Sequence, residues 1–227
     1  MANHLDLEEQ EQLDQLKHFW KQYGNLITWA LIVVLGAVAA WNGYHAWQRN
    51  QSVQAAAMFD EVEKVVRSGD LQKADRAFSD MKDRFAKATY TQQAGLLVAK
   101  MTYEAGKADI AKSTLSWLAE NSADKGYASV ARLRLSAVLV ETKAYDEALK
   151  ILGAGIAEEF SPLADDRRGD VYDLLGKKAE AKAEYQKAFK AFDEQSEYRR
   201  LVVIKLNALG VDPLADSKFA FASGGAK

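Results

Sequence analysis

Residues 168–192 read RGDVYDLLGKKAEAKAEYQKAFKAF, and this stretch decides the fold. Its apolar and small residues recur at three and four, the period of a helix with one buried face. Gly169, Tyr172, Gly176, Ala181, Tyr185 and Ala188 stand at offsets of +3, +4, +5, +4 and +3. Small side chains at 169, 181 and 188 would let two antiparallel helices touch, while the two tyrosines fill the space between them. Gly176 would supply the turn, because glycine reaches positive φ without a Cβ clash. Upstream, Ser161-Pro162 has the form of an N-cap followed by an N1 proline, with Asp165 and Asp166 near the positive helix end.

Three more worn copies precede this one. SGDLQKADRAFSDM (68–81) places Gly69, Leu71, Ala74, Phe78 and Met81 on the turn and second helix. AGKADIAKSTLSWL (105–118) does so with Gly106, Ala111, Leu115 and Leu118. TKAYDEALKILGAG (142–155) does so with Tyr145, Ala148, Leu152 and Gly155, although Lys143 stands at the turn glycine. Ala74, Ala111, Ala148 and Ala181 are spaced 37, 37 and 33 residues apart. These offsets are those of the tetratricopeptide helix–turn–helix unit. Ser196 to Leu209, with a stop at Gly210, reads as a terminal helix covering the last apolar face. The fold class expected is all-α: a tetratricopeptide-like α-solenoid of about four hairpins plus a capping helix, over residues 48–210. Residues 211–227 then read as a flexible tail, with Phe219 and Phe221 unexplained.

Ahead of the repeats, Gln22 to Gln48 form 27 residues without Asp, Glu, Lys or Arg. The centre, LITWALIVVLGAVAAW (26–41), holds eight Leu, Ile or Val residues. A helix of about 20 apolar residues crosses a hydrocarbon core of roughly 30 Å. Trp20 and Tyr23 flank one end, and Trp41, Tyr44 and Trp47 the other, as interfacial rings do. We therefore expect a single transmembrane helix over 24–47. A buried core helix is the alternative, but the amphipathic remainder offers little to enclose it. A cleaved signal peptide is another, since Ala37-Val38-Ala39 has a cleavage-site form. Five acids and two lysines before the span argue against it. Within the span, Gly36 with Ala40 and Ala39 with Gly43 form small-xxx-small pairs that would admit another helix. Flanking Lys and Arg are too evenly divided to set the orientation. The leading segment, 1–23, is an acidic tip whose Leu5, Leu13, Leu16 and Phe19 fall near helical spacing.

Composition removes several functions. The chain has no cysteine, and its three histidines, His4, His18 and His45, all precede residue 50. The body therefore lacks an imidazole base and a soft metal ligand. It carries 27 of the 30 basic and 27 of the 32 acidic residues, so no net field draws it to nucleic acid. No cofactor, metal or catalytic residue is expected. A carboxylate enzyme using Glu158, Glu159, Asp165 or Asp166 is the remaining enzymatic alternative, although these acids flank a helix junction, where acids commonly sit on solvated surface.

The layout as a whole resembles a known family. The opening HLDLEEQEQLDQLKHFWKQYGNLI (4–27), the span and the terminal repeats are similar to the YfgM-type ancillary subunits of the SecYEG translocon of Gram-negative bacteria. The resemblance implies a single-pass type II inner-membrane protein with a cytoplasmic tip and periplasmic repeats. It implies association with the translocon and with PpiD, a membrane-anchored chaperone of the parvulin-isomerase type. It further implies help in passing secreted client polypeptides to periplasmic chaperones. A periplasmic adaptor in envelope assembly, cell division or envelope stress regulation is the second reading. In the repeats, the partner-binding groove falls on first-helix positions: Phe59, Val66 and Arg67, then Leu96, Lys100 and Tyr103, then Leu133 and Val140, then Asp166 and Asp170. Apolar and charged groups mixed in this way suit an extended peptide or a partner helix.

Overall fold

The computed structural model describes the backbone of residues 7–214 and the side chains of residues 11–214. Leu5, Phe219 and Phe221 lie outside the described residues. Within them the regular structure is helical: α1 (Leu7–Ser68), α2 (Leu71–Phe85), α3 (Thr89–Glu104), α4 (Ala108–Asn121), α5 (Lys125–Glu141), α6 (Tyr145–Leu152), α7 (Ser161–Leu174), α8 (Lys178–Ala191) and α9 (Glu197–Ala208). A 3₁₀ turn, Glu158–Phe160, leads into α7. The chain divides into two compact units, residues 1–51 and 52–227.

In the first unit, the apolar part of α1 is exposed. Leu26, Trp29, Val33, Leu35 and Trp41 are all exposed, and only 6% of the most apolar window is buried. A core helix would have buried that surface, so the protein-interior alternative fails. Burial is worth roughly 25 cal/mol per Å² of apolar surface, which a lipid core supplies and water does not. Inside the segment, Thr28 Oγ1 donates to the Gly24 carbonyl at 2.7 Å. That is what a low-dielectric surround demands. Aromatic rings meet at both ends, Phe19 tilted against Tyr23 at 5.1 Å and Trp41 edge-on to His45 at 4.6 Å between ring centroids.

The second unit is a run of hairpins: the end of α1 with α2, α3 with α4, α5 with α6, and α7 with α8, followed by α9. The turn glycines behave as the offsets require. Gly69, Gly106 and Gly176 have φ of 78°, 74° and 72°. After α3, α5 and α7 the same two bonds recur, for example Gly106 N to Tyr103 O and Lys107 N to Thr102 O. This is the Schellman arrangement, which satisfies carbonyls that the helix end would leave open. Lys143 fills the same slot with φ of 59°, a positive-φ residue that is not glycine.

The small positions also do what was expected. Ala74, Ala111, Ala148 and Ala181 are all fully buried. In the fourth hairpin a Cβ on Gly169 would lie 2.4 Å from Tyr185 Cε1, so the tyrosine ring occupies the space a side chain would need. In the second hairpin a Cβ on Gly95 would meet Phe78 Cζ at 2.8 Å. The first hairpin is filled differently, by Val62, Phe78 and Met81, all fully buried. Val202 and Leu206 of α9 pack on Ala181, Tyr185 and Ala188 and close the last core.

One local expectation is corrected. Ser161 is not an N-cap: its φ and ψ of −56° and −42° are helical, and no side-chain cap bond forms at this helix start. The preceding 3₁₀ turn already carries the helical direction, so the cap position falls on Phe160. Elsewhere capping aspartates act as usual, Asp70 accepting from Lys73 N and Asp124 from Gly126 N and Tyr127 N.

Candidate interaction surface

In the second unit, the end of α1, α3 and α5 meet along open hollows. Two hollows lie there, and both are bordered by Lys100 of α3 and Arg134 of α5. Toward the start of α3, Gln93, Leu96 and Leu97 face Phe59 and Glu63 of α1. Toward its end, Ala99 and Tyr103 face Ala137 and Val138 of α5, around about 200 Å³ of space with Leu115 at the floor. Four of the ten expected groove residues, Phe59, Leu96, Lys100 and Tyr103, therefore come together.

The others are placed differently. Val66 is half-buried against the core of the first hairpin and Val140 against the core beneath α5, as Phe59 and Leu96 also are, but neither valine borders a hollow. Leu133 is also half-buried. Arg67 is exposed and pairs with Glu63 at 3.3 Å. Arg134, Leu97 and Ala137 were not among the expected residues. A register signal exists for two of them: Leu97 and Arg134 each stand nine residues before the turn residues Gly106 and Lys143. Helix geometry puts them beside the expected Leu96 and Leu133.

Asp166 and Asp170 do not line the open face. Asp166 is fully buried, and α9 lies over it. Lys205 Nζ stands 2.8 Å from Asp166 Oδ1 and 2.6 Å from Asp170 Oδ1. Tyr198 donates its hydroxyl to Asp166 at 2.9 Å, and Tyr185 donates to Asp170 at 2.8 Å. The lysine also sits 5.2 Å from the Tyr185 ring centre. A buried carboxylate is tolerable only with such partners. Burial, with the charge and hydrogen bond of Asp166 added, pushes the Tyr198 hydroxyl up to about 12. Burial and the bond to Asp170 push Tyr185 up as well. These carboxylates hold the capping helix in place.

The junction acids have similar employment. Arg168 binds Asp165, Glu184 and the Leu152 carbonyl, joining α6, α7 and α8. Burial raises Asp165, partly countered by Arg168. Burial also acts to raise Glu184, but its bonds to Lys187 and Arg168 outweigh that and bring it down. Glu158 and Glu159 are exposed on the 3₁₀ turn. Both border a hollow of the second unit together with Glu120, Lys125 and Arg132. Among the described residues no group of three His, Cys, Asp or Glu could hold a metal.

In the first unit, Gly36 and Gly43 face open space, with nothing within 4 Å of a built Cβ at either. Ala40 is exposed with them.

Comparison with known proteins adds the family. The tetratricopeptide repeat-like domain family matches residues 17–211. A curated protein of Neisseria gonorrhoeae, named ancillary SecYEG translocon subunit, is 31% identical over 92% of this chain and 100% of its own length. Proteins with the same name from Haemophilus influenzae and Escherichia coli are 28% and 24% identical. Each is covered almost end to end (98% and 97%), against 89% of this chain. With an exposed apolar helix ahead of the repeats, the chain is a membrane-anchored member of the ancillary SecYEG translocon subunit family, built on the tetratricopeptide repeat-like domain.

Proposed function

We propose that this protein is an ancillary subunit of a SecYEG translocon, held in the inner membrane by residues 24–47 in a type II orientation. The repeat body then stands in the periplasm and binds a PpiD-like chaperone anchored in the same membrane. Together they help secreted polypeptides pass from the translocon to periplasmic chaperones. The open face around Phe59, Leu96, Lys100 and Tyr103 is the side that takes the partner, and Gly36, Ala40 and Gly43 mark the helix face open to another span.

The observation that carries this reading is the similarity to a translocon subunit along that relative's entire length, span included. The apolar surface of α1 supports it independently, because only lipid or another membrane helix can cover it.

Purification of the tagged chain from detergent-solubilised membranes is expected to bring translocon proteins and a parvulin-type chaperone with it. A preparation holding neither would overturn the reading. Orientation is tested separately with Ser223→Cys, since the chain has no other cysteine. Labelling by an impermeant maleimide from the periplasmic side is expected, and labelling from the cytoplasm alone would refute the type II arrangement.

A further inference from the structure

We infer that the open face reads an extended partner segment of the pattern apolar–x–acid–x–apolar, with Lys100 and Arg134 meeting the acidic side chain. The inference rests on the reading of this face as the partner side and adds the chemistry of what it takes.

Both hollows are bordered by the same two cations, and they lie on either side of Lys100 along α3. One is reached from Leu96 and Phe59, the other from Ala99, Tyr103 and Val138. The order along the face is therefore apolar, basic, apolar. An extended chain shows side chains i, i+2 and i+4 on one side, so three alternate residues fit that order. A terminal carboxylate would leave one hollow empty, because chain continues on only one side of it. An internal Asp or Glu fills both.

The charges on the face support an acid. Among the described residues no carboxylate lies within 4.0 Å of the Arg134 guanidinium, whose acceptor is the Leu96 carbonyl at 3.3 Å. Lys100 has only Glu104, at 3.8 Å, with both side chains largely exposed. Such a pair is worth little and yields readily to a better acceptor. Of the other acids near the face, Glu63 borders the first hollow and pairs with Arg67 at 3.3 Å, and Glu141 accepts from the Tyr103 hydroxyl. Arginine and lysine that border apolar walls hold a carboxylate more firmly than they would in open water.

The test uses the full chain in lipid nanodiscs and a dye-labelled, amidated peptide Ser-Leu-Ser-Glu-Ser-Leu-Ser. Counterparts with Gln or Lys at the centre are read in parallel by anisotropy, with empty nanodiscs subtracted. The Glu peptide is expected to bind about tenfold or more tightly than the Lys peptide at low salt. In the variant carrying Lys100→Gln and Arg134→Gln that preference is lost. With Lys100→Glu and Arg134→Glu it reverses, and both residues are exposed enough for these variants to fold, as a melting curve verifies. Equal binding of the three peptides, no saturable binding of any, or a preference indifferent to the substitutions would overturn the inference. Failure of the translocon reading shows elsewhere, as absence of translocon proteins from the unsubstituted chain whatever the peptides do.

Discussion

Helices α3 and α7 open successive-but-one hairpins and occupy the same place in the repeat, yet they present opposite surfaces. Ten and six residues before the turn, α3 shows Leu96 and Lys100 on an open face, whereas α7 has Asp166 and Asp170 under α9. The repeat sets where these side chains point. What stands opposite sets what they do. With no capping helix over them, the positions in α3 border open hollows. Facing the capping helix, those in α7 form a polar lock that fastens the end of the solenoid.

The largest effect expected from breaking this contrast is at Lys205. Lys205→Met leaves Asp166 buried with only the Tyr198 hydroxyl, and removal of one partner from a buried pair typically costs about 3–5 kcal/mol. The lower end applies here, because the lysine side chain keeps 23% of its exposure. Urea unfolding of the detergent-solubilised chain checks it, and Asp166→Asn added to Lys205→Met is expected to recover part of the loss.

Next is Gly169→Ala, which forces the Tyr185 ring aside and should cost roughly 2–3 kcal/mol, as overpacking does. The contrast sharpens at the turns. Gly176→Ala meets no neighbour, so its cost is conformational and about 1 kcal/mol. Lys143→Gly relieves the same strain and should stabilise by up to about 1 kcal/mol. Differential scanning of both variants reads the two signs together. Smallest of all, Lys100→Ala on the open face should move stability by less than about 0.5 kcal/mol. A large loss there would mean that α3 is locked as α7 is.

Most of the repeat architecture was readable from local chemistry. Gly106 and Gly176 mark turns because a positive φ is a property of one residue. Ala111 and Ala181 mark helix contacts because a small side chain is needed wherever two helices touch. Lys143 was recognised as standing in a glycine position, and it takes the glycine conformation. The groove was only partly readable. Phe59, Leu96, Lys100 and Tyr103 follow from register and border the hollows, whereas on α5 only packing shows that Arg134 rather than its neighbour Leu133 reaches them. Ser161 misled because the 3₁₀ turn before it, set by the chain's approach from α6, moved the helix start.

The sequence by itself determined the helices, their turns, the spacing of the repeats and the apolar segment of α1, since each depends on residues within a turn or two of one another. Only the tertiary structure decided which first-helix positions stay open. Lys205 lies 39 residues from Asp166, and nothing local announces the pair. Packing Val202 and Leu206 onto the last hairpin brings the lysine over the aspartates. The same repeat positions then carry different duties, because an unpaired carboxylate cannot remain in an apolar interior.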